Sequence, residues 1–79
     1  MDDRELIQRI NTLVDEEHRL YERGSDGLDT TERARLESLE VALDQCWDLL
    51  RQRRARRRAG LDPDDADLRD ATTVERYQQ

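Results

Sequence analysis

The 79-residue sequence lacks phenylalanine and lysine, and it has one tryptophan, two tyrosines, one cysteine and one proline. With so few aromatic side chains it cannot build the thick core of an ordinary globular domain. A single cysteine cannot form an internal disulfide, so nothing in the sequence indicates secretion. No apolar run is long enough for a signal peptide or a membrane span. These absences favour a cytoplasmic protein without a membrane partner.

The motifs that carry chemistry are also missing. The sequence has no glycine-rich phosphate loop, no Ser/His/Asp set and no cysteine cluster with metal-ligand spacing. His18 and Cys46 are its only soft metal ligands, and we expect them about 12 Å apart along the helix axis, too far to share a metal within one hairpin. We therefore expect no enzyme activity, no catalytic residue, no cofactor, no metal site and no small-molecule substrate.

Charge is abundant and unevenly distributed. Charged residues make up 43% of the chain and apolar residues 34%, and the net charge is −6. Residues 1–50 carry fourteen acidic side chains against six arginines, residues 51–58 carry six arginines and no acid, and residues 59–79 carry six acids against two arginines. The chain as a whole is thus not suited to binding polyanions, but the short segment 51–58 is.

The sequence does contain the same spacing of apolar residues in two separate segments. Apolar residues recur at spacings of three and four, which predicts two helices that each have a narrow apolar face. The predicted helix–helix core consists of Leu6, Ile10, Leu13, Leu20, Leu36, Leu39, Leu43, Cys46 and Leu50. Glu17 interrupts the first run, where it either fixes the register or turns outward to an arginine or histidine at the rim.

Capping residues and glycines indicate where the helices begin and end. Asp2 and Asp29 are each followed three residues later by a glutamate, which is typical of a helix start. Gly24 and Gly60 are suited to end a helix in the left-handed conformation. We predict a hairpin over 1–60, with helix 1 over about 2–23, a loop over 24–29 and helix 2 over about 30–59. So short a loop makes the two helices antiparallel neighbours.

The antiparallel pairing has a definite register. If the two apolar runs face each other, the residue numbers of facing core positions add to 56, so that Leu13 lies opposite Leu43 and Leu6 opposite Leu50. The same register places Asp3 opposite Arg53, an attractive pair of modest energy if exposed. Beyond Arg53, helix 2 projects about 10 Å past the start of helix 1.

A second apolar stripe lies beside the first. It consists of Ile7, Val14, Tyr21 and Trp47, which we call the apolar flank. Ala42 and Leu49 fall on the other side of the hairpin, among charged residues. A lone hairpin is marginal in size, and burial of the apolar flank against a second copy stabilises it. The predicted fold is therefore all-α: a coiled-coil-like antiparallel two-helix hairpin that forms a homodimer, a four-helix bundle.

The remaining segment, residues 61–79, is acidic and has no apolar period. We expect this tail to be largely flexible. Val74 and Tyr77 share a helical face near its end, which indicates either a frayed helical turn, the interpretation we favour, or a docking motif.

The arginines of the basic segment are Arg51, Arg53, Arg54, Arg56, Arg57 and Arg58. They form a solvated helix end that complements the helix dipole, a site for a protein partner or for nucleic-acid phosphates, or a segment neutralised by the tail or by the start of helix 1. No aromatic residue is interleaved with them, so base stacking is not expected. A self-associating interaction module is the main hypothesis, and a nucleic-acid-associated protein is the alternative.

Several stretches of the sequence resemble a known family. They are Met1–Ile7, Val14–Leu20, Leu43–Ala55 and the closing Val74, Glu75 and Tyr77. Together they are similar to short actinobacterial proteins grouped as domain of unknown function 2630. The resemblance implies a small helical cytoplasmic protein, and it brings no activity, cofactor or catalytic residue with it.

Overall fold

Two long helices and a short third one make up the secondary structure. The computed structural model describes residues 2–24 and 27–78, and side chains as far as Glu75. In these ranges the chain forms α1 (Asp3–Glu22), α2 (Thr30–Arg58), a 3₁₀ turn (Pro63–Asp65) and α3 (Ala71–Gln78), and it has no strand. The all-α prediction and the packing of two long helices are confirmed. Of the expected loop, Ser25 and Asp26 lie outside the described residues.

The ends of the helices follow from local chemistry. The Asp2 carboxylate accepts a hydrogen bond of 2.8 Å from the Glu5 amide, and Asp29 accepts one of the same length from the Glu32 amide. These bonds satisfy backbone donors that a helix start leaves unpaired. Gly24 has a φ of 73°, a backbone conformation in which a residue with a side chain would be strained. This turn directs the chain away from the end of α1.

The contact between α1 and α2 is built from the apolar seam. Leu6, Leu39 and Leu50 are at most 1% exposed. Of the other predicted core residues, Ile10, Leu13, Leu43 and Cys46 are buried, and Leu20 and Leu36 are half-buried. Nε of Arg53 donates to Asp3 Oδ1 at 2.5 Å, which confirms the predicted pairing of these two residues at the open end.

The tail differs from the flexible segment that we expected. After Gly60 the chain reverses and runs back along α2, first through the 3₁₀ turn and then through α3, which packs on α2. Val74 is only 1% exposed, so at this residue α3 is docked rather than frayed; the side chain of Tyr77 lies outside the described part. The tail has no apolar period because several of its contacts with α2 are made by polar groups.

A buried carboxylate anchors the tail. Asp48, only 2% exposed, accepts hydrogen bonds from both Nε and Nη2 of Arg69, the first at 2.8 Å. Gln52 Nε2 donates to Asp48 Oδ2 at 2.9 Å and to the Asp67 carbonyl at 2.9 Å. Gln45 Nε2 donates to the Arg69 carbonyl at 3.3 Å. A planar guanidinium that pairs both carboxylate oxygens is the geometry in which a buried ion pair is strongest.

The two contacts made by α2 lie on nearly opposite sides of the helix. Leu50 faces α1 and Asp48 faces the tail, and two residues correspond to about 200° of rotation. The chain therefore forms one layer, with α2 between α1 and the tail, and its extents are 48 × 25 × 15 Å. A single layer leaves two broad faces without a covering element.

We expect Arg69→Ala to release the tail. The change leaves the Asp48 carboxylate buried without its main partner and lowers the free energy of unfolding by about 2 kcal/mol. Urea unfolding measures the loss, and hydrogen exchange measures faster opening of the Asp67–Glu75 amides.

Arg19→Ala is the matched control, because Arg19 is an exposed arginine on α1 far from the tail. It should change the unfolding free energy by less than about 0.5 kcal/mol. Equal effects of the two substitutions would contradict the anchoring role of the Asp48–Arg69 pair.

Candidate interaction surface

The apolar flank is exposed along the length of α1. Ile7 is 42% exposed, Val14 40%, Tyr21 54% and Trp47 43%. The three α1 residues are spaced by seven, so they stand above one another on one side of the helix. No described segment of the chain folds over them, because the tail packs elsewhere on α2. The flank is therefore a line of apolar side chains that face solvent in the single chain.

Acidic groups surround one end of this stripe. The Tyr21 hydroxyl donates to Glu40 Oε1 at 2.6 Å, and this bond raises the pKa of Tyr21. Glu17, which is half-buried, raises it further through its charge. His18 lies on the same side of α1 and its Nε2 is 3.2 Å from Glu22 Oε1. The end of the flank near the loop is thus rich in carboxylates.

The other side of the hairpin is less polar than expected. Leu49 is 7% exposed and Ala42 is half-buried, and both pack against the core. The folded tail explains the difference, because it brings Leu68 toward Leu49 and covers part of this side of the hairpin. Between α1 and the tail remains a small cavity of about 240 Å³, lined by Leu6, Arg9, Ala42, Gln45, Cys46, Leu49 and Leu68.

Cys46 sits in the wall of this cavity as a core residue. It is 3% exposed, and burial raises the pKa of its thiol, while the positive charge of Arg9 acts in the opposite direction. The thiol is therefore held in its neutral, weakly reactive form. This placement fits a small apolar side chain in the helix seam.

Two residues of the basic segment are engaged within the chain. Asp3 accepts hydrogen bonds from Arg57 and Arg53, and these bonds lower its pKa to about 2. Nη1 of Arg53 also donates to the Pro63 carbonyl at 3.1 Å and to Asp64 at 3.0 Å. Arg53 thus connects α1, α2 and the tail. It is only 5% exposed, whereas we expected it on the surface.

The remaining arginines of the segment are more accessible. Arg56 is half-buried, and Arg51, Arg54 and Arg58 are exposed. Arg51, Arg54 and Arg58 follow Trp47 by four, seven and eleven residues, spacings that place them on its side of α2. The basic surface of the hairpin is therefore a smaller group than the six arginines in the sequence, and it continues the apolar flank.

A second feature that sequence reasoning missed is a pair of carboxyl groups between α2 and α3. The Asp44 carboxyl raises the pKa of the neighbouring Glu75, and Glu75 Oε1 is buried without a hydrogen-bond partner. Two carboxylates in contact repel each other, so this contact needs a proton. No chemical motif in the sequence links Asp44 to Glu75, and only the fold brings them together.

Two structural searches give negative results. Among residues 2–24 and 27–78, no group of three histidine, cysteine or acidic side chains is arranged to hold a metal ion. Nor does any helix in the described part of the chain combine the length and apolar character needed to cross a membrane.

The Asp3 network makes stability depend on acid pH. Because the folded-state pKa of about 2 lies below the ordinary value of 3.8, the stabilisation is present above about pH 5 and is lost as the pH falls through this range. Asp3→Asn should lower the free energy of unfolding by about 1 kcal/mol at pH 7. The deficit should shrink toward zero near pH 2 in urea titrations.

Asp15→Asn is the control for this experiment, since Asp15 is an exposed acid on the same helix. It should track the unsubstituted protein across the titration. A deficit for Asp3→Asn that stays constant down to pH 2 would contradict the ion-pair interpretation.

The Asp44–Glu75 contact has the opposite effect on the pH dependence of stability. A carboxyl group whose pKa is raised by folding contributes stability at low pH, and that contribution is lost as the pH rises through its folded-state pKa. Glu75→Gln supplies a permanent amide donor to Asp44. We expect it to slow hydrogen exchange in α3 at pH 7 and to have little effect at pH 4. Faster exchange at pH 7 would contradict this account.

Comparison with known proteins identifies a family whose function is unknown. Residues 2–79 match the profile described as "Protein of unknown function (DUF2630)". The chain is 46% identical to the uncharacterized proteins Mb0922c of Mycobacterium bovis and Rv0898c of Mycobacterium tuberculosis over 77 residues, which covers 95% of this chain and 88% of each relative. No solved structure matches it significantly. The chain belongs to the DUF2630 family.

Proposed function

We propose that this protein is a small non-enzymatic interaction module that associates with a second copy of itself through the apolar flank. The observation that carries the proposal is the exposure of Ile7, Val14, Tyr21 and Trp47 in one stripe. Large apolar side chains gathered on one exposed face are typical of an interaction site. Two hairpins joined along this stripe form a four-helix bundle.

The exposed area supports the same proposal. The chain exposes 5802 Å², whereas a compact monomer of its mass, 9.4 kDa, exposes about 5000 Å². The excess of about 800 Å² is close to what one partner contributes to an interface of standard size. Association of two copies along their flanks would bring the exposed area of each near that of a compact protein.

The architecture gives a further reason. Stable domains consist of at least two packed layers, and this chain supplies one. Its tail covers the side of α2 opposite α1 rather than the apolar flank. A second copy supplies the missing layer from the same apolar residues, which is how symmetric homodimers are built.

In this proposal the basic end of α2 is presented at the edge of the dimer. Nucleic-acid binding is the weaker alternative, because Arg53 is buried and Arg57 is paired with Asp3. The accessible Arg51, Arg54 and Arg58 offer fewer phosphate contacts than the sequence suggests, and each lost contact reduces both affinity and its salt dependence.

Val14→Glu tests the proposed association. Val14 is at the centre of the stripe, so the change places a carboxylate of each copy in the apolar contact and should raise the dimer Kd at least about tenfold. The single chain should stay folded, because Val14 is already 40% exposed. Sedimentation equilibrium measures the Kd, and circular dichroism checks the fold.

Leu61→Glu is the matched control. Leu61 is 55% exposed but lies in the tail, away from the flank, so the same chemical change should leave the Kd within about twofold. A folded monomer at 100 μM for the unsubstituted chain would overturn the proposal, and so would equal effects of the two substitutions.

A further inference from the structure

The structure also bears on the orientation of the two copies. We infer that they pack antiparallel, related by a two-fold axis close to Val14, so that the basic end of one copy lies over the acidic end of the flank of the other. This inference rests on the self-association proposed above and specifies its geometry. It is carried by the way charge is distributed along the apolar flank.

The apolar residues alone permit two orientations. Ile7, Val14 and Tyr21 are evenly spaced, about 10 Å apart along α1. In a parallel dimer each faces its own copy. In an antiparallel dimer Val14 faces the partner's Val14, and Ile7 faces the partner's Tyr21. Both arrangements cover the three residues, whereas a shift by one repeat leaves part of the stripe exposed.

The open end of the flank is basic. Beyond Trp47, the same side of α2 presents Arg51, Arg54 and Arg58, all of them exposed. Arg53 and Arg57 instead point toward α1, where both pair with Asp3. The positive charge on the flank is therefore concentrated beyond one end of the apolar stripe.

The loop end of the flank is acidic. Glu40 accepts the hydrogen bond of Tyr21, Glu17 acts on the same hydroxyl through its charge, and Glu22 pairs with His18 one turn away. Arg33 also lies toward this end, and the carboxylates outnumber it. The flank of one chain thus carries opposite charges at its two ends, with the apolar residues between them.

Charge decides between the two orientations. A parallel dimer places arginines beside arginines and carboxylates beside carboxylates, and such like-charge contacts disfavour an interface. The antiparallel dimer places the basic end of one copy, with Arg51 and Arg54, over the loop end of the other, where the carboxylates outnumber Arg33, and it does so at both ends of the symmetric contact. The surface is self-complementary only in this orientation.

Cysteine cross-linking tests the orientation. Ile7→Cys and Tyr21→Cys are made separately, reduced, shown to be dimeric by sedimentation, and oxidised alone or as a mixture. We expect a disulfide-linked dimer in the mixture, joining position 7 of one copy to position 21 of the other, and none from either variant alone. Native Cys46, which is buried, serves as the internal control for nonspecific oxidation.

Each other outcome overturns the inference. Cross-linking of either variant with itself indicates a parallel dimer, and absence of a cross-link in a mixture shown to be dimeric indicates another face. A chain that is monomeric before oxidation refutes the proposed self-association instead, so the two failures are distinguishable.

A charge reversal gives an independent readout. Arg51→Glu should raise the dimer Kd about tenfold at 50 mM salt and much less at 500 mM, where screening weakens the attraction. Arg19→Glu changes the net charge equally but lies off the flank, and it should alter the Kd less than twofold. An unchanged Kd for Arg51→Glu, or a Kd of the unsubstituted chain that falls with added salt, overturns the antiparallel arrangement.

Discussion

The structure depends on one constraint: a 29-residue helix, α2, must be covered on more than one side by a chain that is poor in large apolar residues. The leucine seam of α1 covers one side by ordinary hydrophobic packing. The tail covers the opposite side mainly through polar groups, with Asp48 and Arg69 at the centre. Arg53 ties the two coverings together, since it contacts Asp3 in α1 and Asp64 in the tail.

Much of this fold could be predicted because its signals are local. The spacing of leucines fixes two amphipathic helices, Asp2 and Asp29 begin them, and Gly24 permits the turn. The Asp3–Arg53 pair followed from the register alone. These features need only the geometry of a helix and the rule that short loops join antiparallel neighbours.

The tail could not be predicted, for a physical reason. Its docking uses one buried ion pair, side-chain amides of α2 that bind tail carbonyls, and the single valine of α3, and none of these produces a periodic pattern. Arg69 lies among five acidic residues in 62–70, so the local sequence predicts an exposed arginine. Its partner, the buried Asp48, is evident only from the fold. The same contacts remove Arg53 from the surface, so the sequence overstates the basic surface and understates the packing of the tail on α2.

With these two sides of α2 occupied, the apolar flank remains exposed in the described structure, and a second copy is the partner that we propose for it. Trp47 is the single tryptophan of the chain and lies on the flank, so its fluorescence reports directly on coverage. On dilution from 100 μM into the nanomolar range, the emission maximum should move to longer wavelength as the dimer dissociates and Trp47 meets water. An emission maximum typical of a solvent-exposed indole at every concentration would contradict the account.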